Sequence, residues 1–262
     1  GVPVSHLLKL MSQIAQNLER VNIRIAEAAL RAKRDPNEIT LVAVSKTFPA
    51  ADVTSAIFAG QHHFGENRVE EAQPKIAAVN ASLAHVRLAA PPVQWHLIGH
   101  VQSRKAKDAA NGDFALIHSV DSLKLAQQLA SAKQAAGNLS PQPILLQCNV
   151  SGEASKEGFN LAGWEYAPAK LDLFLSSVVQ ITALSTLQIR GLMTIAPIVA
   201  EPAQAPPIFA SLRLLRDKLQ HALPNVDWSH LSMGMSDDLE PAIAEGATII
   251  RVGRAIFGGR TK

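Results

Sequence analysis

The sequence predicts a single (β/α)8 barrel of the TIM type, preceded by an N-terminal helix, for this chain of 262 residues. Three observations lead there. Beyond residue 36 there are eight short apolar runs of strand length, and a helical stretch occupies each of the seven gaps between them. Several runs are continuously apolar rather than alternating, as in a parallel sheet covered on both faces. Strict βα alternation closes either as an open doubly wound sheet or as a barrel, and eight strands in about 250 residues is the usual barrel size.

The first element spans residue 5 to about residue 33. Ser5 offers an N-cap, and Leu7, Leu10, Ile14, Leu18, Val21, Ile25 and Ala28 recur at steps of three and four on one face. Asp35-Pro36 ends it. Arg20, Arg24, Arg31, Lys33 and Arg34 on this helix read as a solvated face. The strands fall at 39–45, 62–65, 95–99, 115–119, 144–150, 189–193, 228–232 and 248–252. The helices between them fall at 51–59, 69–79, 103–109, 122–136, 171–182, 207–222 and 237–245. Stretches 80–93, with Pro91-Pro92, and 196–207, rich in Pro and Ala, read as insertions that do not interrupt the rhythm. Residues 1–262 are therefore expected to form one domain, with segment 1–36 packed on the barrel.

Composition narrows the function classes. Apolar residues make up 47% and charged residues 18%, enough for a large core and too few charges for disorder. The net charge of +3 is modest and the 25 basic residues are scattered, so no nucleic-acid surface is expected. The single cysteine, Cys148, excludes an internal disulfide and a cysteine-based zinc site, and its apolar run makes it a buried, inert thiol. The N-terminus is amphipathic rather than continuously apolar, and no window approaches the roughly 20 apolar residues of a membrane span. A soluble, cytoplasmic and monomeric protein is expected.

In a barrel of this type the strand C-termini face one mouth, where the chemistry is placed. The first strand ends on Ser45-Lys46-Thr47. A lysine there is open to partial desolvation, which disfavours the ammonium and supplies an amine for Schiff-base formation. The seventh strand ends in Leu231-Ser232-Met233-Gly234-Met235-Ser236 and the eighth in Arg251-Val252-Gly253-Arg254. Small, hydroxyl and arginine residues at these two ends suit a phosphate, since glycine lets the backbone approach an anion. A strand-one lysine opposite such a cradle describes a pocket for an aldehyde-bearing phosphate. Pyridoxal 5′-phosphate (PLP) fits, and a phosphorylated sugar on a Schiff-base aldolase fits the same two features. No HxH or HExxH spacing links the histidines, so no metal is expected, and His96 beside Trp95 reads as a hydrogen-bonded core or pocket-wall residue.

Six motifs in order carry a resemblance to a known family. They are Val42-Ala43-Val44-Ser45-Lys46-Thr47, Phe64-Gly65-Glu66-Asn67, Trp95-His96-Leu97-Ile98-Gly99-His100-Val101-Gln102, Ile189-Arg190-Gly191-Leu192-Met193-Thr194, Leu231-Ser232-Met233-Gly234-Met235-Ser236-Asp237-Asp238 and Arg251-Val252-Gly253-Arg254-Ala255-Ile256-Phe257-Gly258. Through nearly its whole length the chain resembles the pyridoxal phosphate homeostasis proteins. The resemblance implies a barrel similar to the N-terminal domain of alanine racemases, PLP on Lys46, and a part in vitamin B6 and amino-acid balance. It places Ser232, Gly234, Arg251 and Gly253 around the phosphate, with Asn67 and Met193 in the pocket wall. PLP-dependent apoenzymes are possible partners. Arg254 stands where many members carry a small hydroxyl residue.

A carrier is preferred to a PLP-dependent racemase on what the chain lacks. Racemisation needs a base on each face of the substrate, and the only tyrosine, Tyr166, lies between the fifth strand and the next helix. His100 and His118 are the remaining candidates for that second base, and Arg190 is a candidate neighbour for the pyridine nitrogen.

Overall fold

The apolar run before Lys46 forms β1 (Thr40–Val44), buried through its three central residues. The computed structural model describes residues 4–84, 92–154, 157–197 and 206–259, with side chains from Gln13 onward. Seven further strands match the predicted runs one for one: β2 (His63–Glu66), β3 (Gln94–Leu97), β4 (Leu116–Val120), β5 (Gln142–Asn149), β7 (Leu187–Met193), β8 (His230–Ser232) and β9 (Ile249–Val252). A two-residue strand, β6 (Phe159–Asn160), pairs with β5 outside this series, too short to leave a periodic signal. Parallel pairing runs from β1 through β2, β3, β4, β5, β7 and β8 to β9, and β9 pairs back onto β1. The ring of eight is closed, and the open-sheet alternative falls.

Helices fill the gaps: α1 (Val4–Arg31), α2 (Ala50–Phe58), α3 (Val69–Leu83), α4 (Ala106–Ala110), α5 (Leu123–Ala135), α6 (Pro168–Thr182), α7 (Pro206–Ala222), α8 (Leu239–Ala244) and α9 (Arg254–Phe257). The stretch read as an insertion from residue 80 begins inside α3; its residues 85–91, and residues 198–205 of the second insertion, lie outside the described residues. The helix expected at 103–109 opens as a 3-10 turn, Ser103–Lys105.

Strands and helices share one large apolar shell, while a smaller cluster of Val42, Leu116, Leu145, Met193 and Ile249 draws one side chain from each of five strands. That inner cluster fills the barrel axis, as branched and bulky side chains do in this fold. On α1, Ile14, Leu18, Val21, Ile25 and Ala28 are buried as the spacing required; the side chains of Ser5, Leu7 and Leu10 lie outside the described ones. The basic face of α1, together with the turn after it, is only partly solvated. Arg24 makes a two-pronged contact with Glu240 at 2.8 and 3.0 Å and donates to Ser236 O at 3.0 Å. Arg34 donates to Ile243 O and Ala247 O at the end of α8. A sequence shows such a cluster as charge without showing which carbonyls it caps.

Candidate functional site at the barrel mouth

Lys46 sits in the turn just past β1, half-buried, two residues beyond Val44. Both neighbours in the chain are pinned. Ser45 Oγ donates to Glu66 Oε1 at 2.6 Å, and Lys75 Nζ on α3 donates to Ser45 O and to Glu66 Oε1, each at 2.7 Å. On the other side the Thr47 amide donates to Glu71 Oε1, and Thr47 takes a φ of 69°. A non-glycine residue in the left-handed region is held there by its surroundings. Glu66 is fully buried and Lys75 nearly so. Burial pushes the Glu66 carboxyl up, against the opposing hydrogen bonds from Lys75 and Ser45. Phe48 then stacks on Phe257 of α9 at a ring separation of 5.0 Å. The backbone carrying Lys46 is thus fixed from α3, β2 and α9 together.

Glu66, Glu71 and Lys75 had no assigned part in the sequence. Their one legible signal is the i,i+4 spacing of Glu71 and Lys75, which normally reads as a solvent-facing pair.

Barrel closure sets β9 beside β1, with Val42 in register with Arg251 and Ala43 with Val252. The expected phosphate region therefore adjoins the lysine rather than standing opposite it. A Cβ placed on Gly253 would meet Val44 Cβ at 3.4 Å and Val44 O at 3.3 Å, so glycine keeps this corner open. Gly234, at φ +97°, turns the chain after β8; a Cβ there would lie 2.6 Å from that of Ala242. Beneath these loops Ser232 and Arg251 are fully or nearly fully buried. Arg251 donates to Ser232 Oγ at 2.6 Å and to Thr194 O at 3.0 Å. Burial lowers its guanidinium to about 10. Met193 pairs in register with Ser232 and lies in the inner apolar cluster. Asn67, half-buried after β2, lines a cleft of about 420 Å³ with Arg68, Gly99, His100, Arg104 and Lys105.

Helix α1 braces both glycine loops. Besides the Arg24 contact to Ser236, Asn17 Nδ2 donates to Ile256 O at 2.8 Å in α9. Arg254 and Asp237, both exposed, pair across the two loops.

The remaining candidates separate cleanly. His118 is wholly buried within a polar row, Ser232–His118–His96–His63, and does not line the mouth. His100 does, with Nδ1 2.9 Å from Asp121 Oδ2 and 3.8 Å from Glu157 Oε2. These three have metal-ligand chemistry and close spacing, but Glu157 and His100 are exposed and His100 already bonds Asp121. Arg190 pairs with Asp227 at 3.2 Å, before the start of β8 and away from the strand ends, so it does not stand at the mouth. Tyr166 is 93% exposed in a 3-10 turn. Cys148 is buried and its thiol is pushed up by burial, as an inert thiol requires.

Comparison with known proteins agrees with this layout. Residues 12–261 match the family model described as the N-terminal domain of alanine racemase. The chain is 46% identical over 250 residues to the pyridoxal phosphate homeostasis protein of Pseudomonas aeruginosa, covering 95% of this chain and 97% of that one. It is 39% identical over 250 residues to the protein of that name from Escherichia coli K12, covering 95% and 98%. Among solved structures, PipY of Synechococcus elongatus with PLP bound superposes with a TM-score of 0.72 at 39% identity, covering 94% of this chain and all of that one. An alanine racemase of Clostridium difficile, 14% identical with a TM-score of 0.62, covers 96% of this chain but 58% of its own and shares the fold.

Proposed function

The chain belongs to the pyridoxal phosphate homeostasis protein family, built on the alanine racemase N-terminal barrel, and from that premise we propose that it binds PLP as a Schiff base on Lys46 and serves vitamin B6 and amino-acid balance as a carrier. The observation that carries this reading is the turn after β1: Lys46 is half-buried at the mouth, with its two neighbours pinned by buried partners. Such clamping serves an amine that must meet a ligand in one place.

The residues fit the cofactor. Gly253 lies against Val44 beside the Lys46 turn, Gly234 supplies the left-handed turn after β8, and Ser232 and Arg251 supply a hydroxyl and a cation beneath; the wall roles of Asn67 and Met193 rest on the family resemblance. When bound, PLP supplies an aldehyde for an amine and an electron-poor ring. What this chain supplies is orientation and charge. Arg251, a permanent cation held against Ser232, favours an anionic group near the ends of β8 and β9.

The carrier role has PLP-dependent apoenzymes as recipients, the cytoplasm as its location, and a monomer spanning residues 1–262 as its working unit. The relatives are named for homeostasis rather than for a reaction. Among the described residues no helix is long and apolar enough to cross a membrane. The purified protein is expected to be yellow, and borohydride reduction followed by peptide mapping to mark Lys46; Lys46→Ala should be colourless while still folded. A colourless wild type that traps a phosphorylated sugar instead would make it an aldolase.

The racemase reading has one observation in its favour, the His100–Asp121 pair at the mouth, a histidine oriented by a carboxylate. Incubation of the PLP-loaded protein with amino acids in deuterated water decides between them. The carrier leaves the α-proton in place; exchange that is lost in His100→Ala would establish the racemase.

A further inference from the structure

The cleft of about 420 Å³ at Asn67 lies on the β2 side of the Lys46 turn, and the functional reading uses only its edge. Register gives its place. β1 pairs with β9 on one side, Ala43 beside Val252, and with β2 on the other, Val44 beside Gly65. The cleft begins two residues past Gly65 and runs on to the loop after β3. The Lys46 turn therefore stands between it and the glycine loops after β8 and β9.

The cleft is firmly built. Val69, Leu97 and Val101 in its lining are buried. The Ile98 amide donates to Glu66 O at 2.9 Å, and a Cβ on Gly99 would lie 2.3 Å from Asn67 O. The loops after β2 and β3 thus meet backbone against backbone, with no room for a side chain at position 99.

Its charge is one-sided. Three cations line it, Arg68, Arg104 and Lys105, against one acid, Glu70. Arg68 immediately precedes α3, whereas Arg104 and Lys105 belong to the 3-10 turn Ser103–Lys105. Arg104 Nε donates to Gln102 Oε1 at 2.9 Å, which orients the guanidinium and leaves both terminal nitrogens for a ligand. Lys105 Nζ lies between Asp108 at 3.5 Å and Glu70 at 3.9 Å. Among the described residues neither Arg68 nor Arg104 has an ion pair. Cations gathered without counter-ions repel one another, and an anion between them removes that cost. No Phe, Tyr or Trp lines the cleft, so its recognition is of charge rather than of a stacked ring. Two guanidinium forks and an ammonium match a phosphate, which offers three oxygens and up to about two charges.

We propose that this cleft is a second anion site, which takes the phosphate of a small phosphate monoester. Arg68 and Arg104 bind the phosphate oxygens, Lys105 adds its charge, and Glu70 opposes binding. A phosphorylated molecule seated here lies on the β2 side of Lys46 and leaves the ends of β8 and β9 free for another.

The site stands apart from the reading of Lys46, and its test does too. In amide nitrogen-15 NMR at low ionic strength, inorganic phosphate should shift residues 68–70 and 99–105 saturably. Glycerol phosphate should give the same shifts, and acetate at equal concentration should not. The shifts should persist after PLP loading and borohydride reduction, which close the Lys46 site. Arg68→Ala and Arg104→Ala should each weaken binding about tenfold. Glu70→Gln should tighten it, a gain that misfolding does not produce. Phosphate shifts confined to residues 232–236 and 251–254, or shifts at 99–105 indifferent to all three substitutions, would overturn the second site and leave the PLP reading standing. Acetate acting as strongly as phosphate would overturn the phosphate assignment. Failure to trap PLP, with the cleft shifts intact, would overturn the PLP reading alone.

Discussion

Lys75 is the residue on which the turn after β1 most depends. Its ammonium is buried and reaches Ser45 O and Glu66 Oε1 at once, while Glu66 Oε2 has no hydrogen-bond partner among the described residues. Removing the lysine leaves a wholly buried carboxyl without its counter-charge, held by Ser45 Oγ alone, while Ser45 O keeps the Phe48 amide. Breaking one side of a buried pair costs about 3–5 kcal/mol, whereas removing both sides with matched volume is far milder. Lys75→Met is expected to lower the urea midpoint by that order, with Glu66→Gln/Lys75→Met recovering part of the loss. Equal midpoints for wild type and Lys75→Met would contradict this. At this scale the strand-end positions of Lys46, Ser232, Gly234, Arg251 and Gly253 were legible, because the order of elements along one dimension suffices for them. The sequence hid Glu66 with Lys75 and the histidine row, since their partners are set by register between strands and by which helix face turns inward.

Among the elements, α1 does more than cover the barrel. Arg24 and Asn17 reach carbonyls in the loops after β8 and β9, both of which belong to the proposed anion site. The Arg24–Glu240 pair is about one-third exposed, so its contribution to stability is at most about 1 kcal/mol. Its larger effect falls on loop order. Hydrogen exchange should quicken at residues 235–238 in Arg24→Ala and at residues 254–258 in Asn17→Ala, with little change in unfolding midpoint. Unaltered exchange in both would reduce α1 to a cover. The helix itself was plain from its apolar spacing, as were the eight barrel strands from their runs. The elements that escaped, β6 and α9, are two and four residues long, too short for any period to register.

For the molecule as a whole, the interior histidines impose a pH dependence. His96 and His118 are neutral in the fold because burial lowers their proton affinity, that of His96 to about 3 from the usual 6.5. Once unfolded, both bind protons below about pH 6.5. The unfolded chain therefore holds more protons there, and stability falls as pH drops through the window from about 6.5 to about 3. Two such groups give a slope of about 3 kcal/mol per pH unit within it. Chemical denaturation at pH 7.5, 6 and 5 should show this decline, flattened when His96 and His118 are replaced by glutamine; a flat wild-type profile would show that the row takes up protons in the fold. Barrel class was legible in the count and alternation of elements. The titration behaviour was not, because it depends on which side chains meet across the axis.

The ring closes where β9 lies against β1, and Lys46, Gly253, Phe48 and Phe257 all gather on that seam. These groups come from the first and last strands of the barrel, so the ribosome makes the lysine early and its neighbours only after every intervening strand and helix. During translation, Lys46 emerges with no enclosure to hold an aldehyde, and contacts between such distant segments form slowly. Capture of PLP on Lys46, as proposed, would thus wait until the barrel has been made through to its final strand, and a truncated product lacking β9 would have the lysine without that seam.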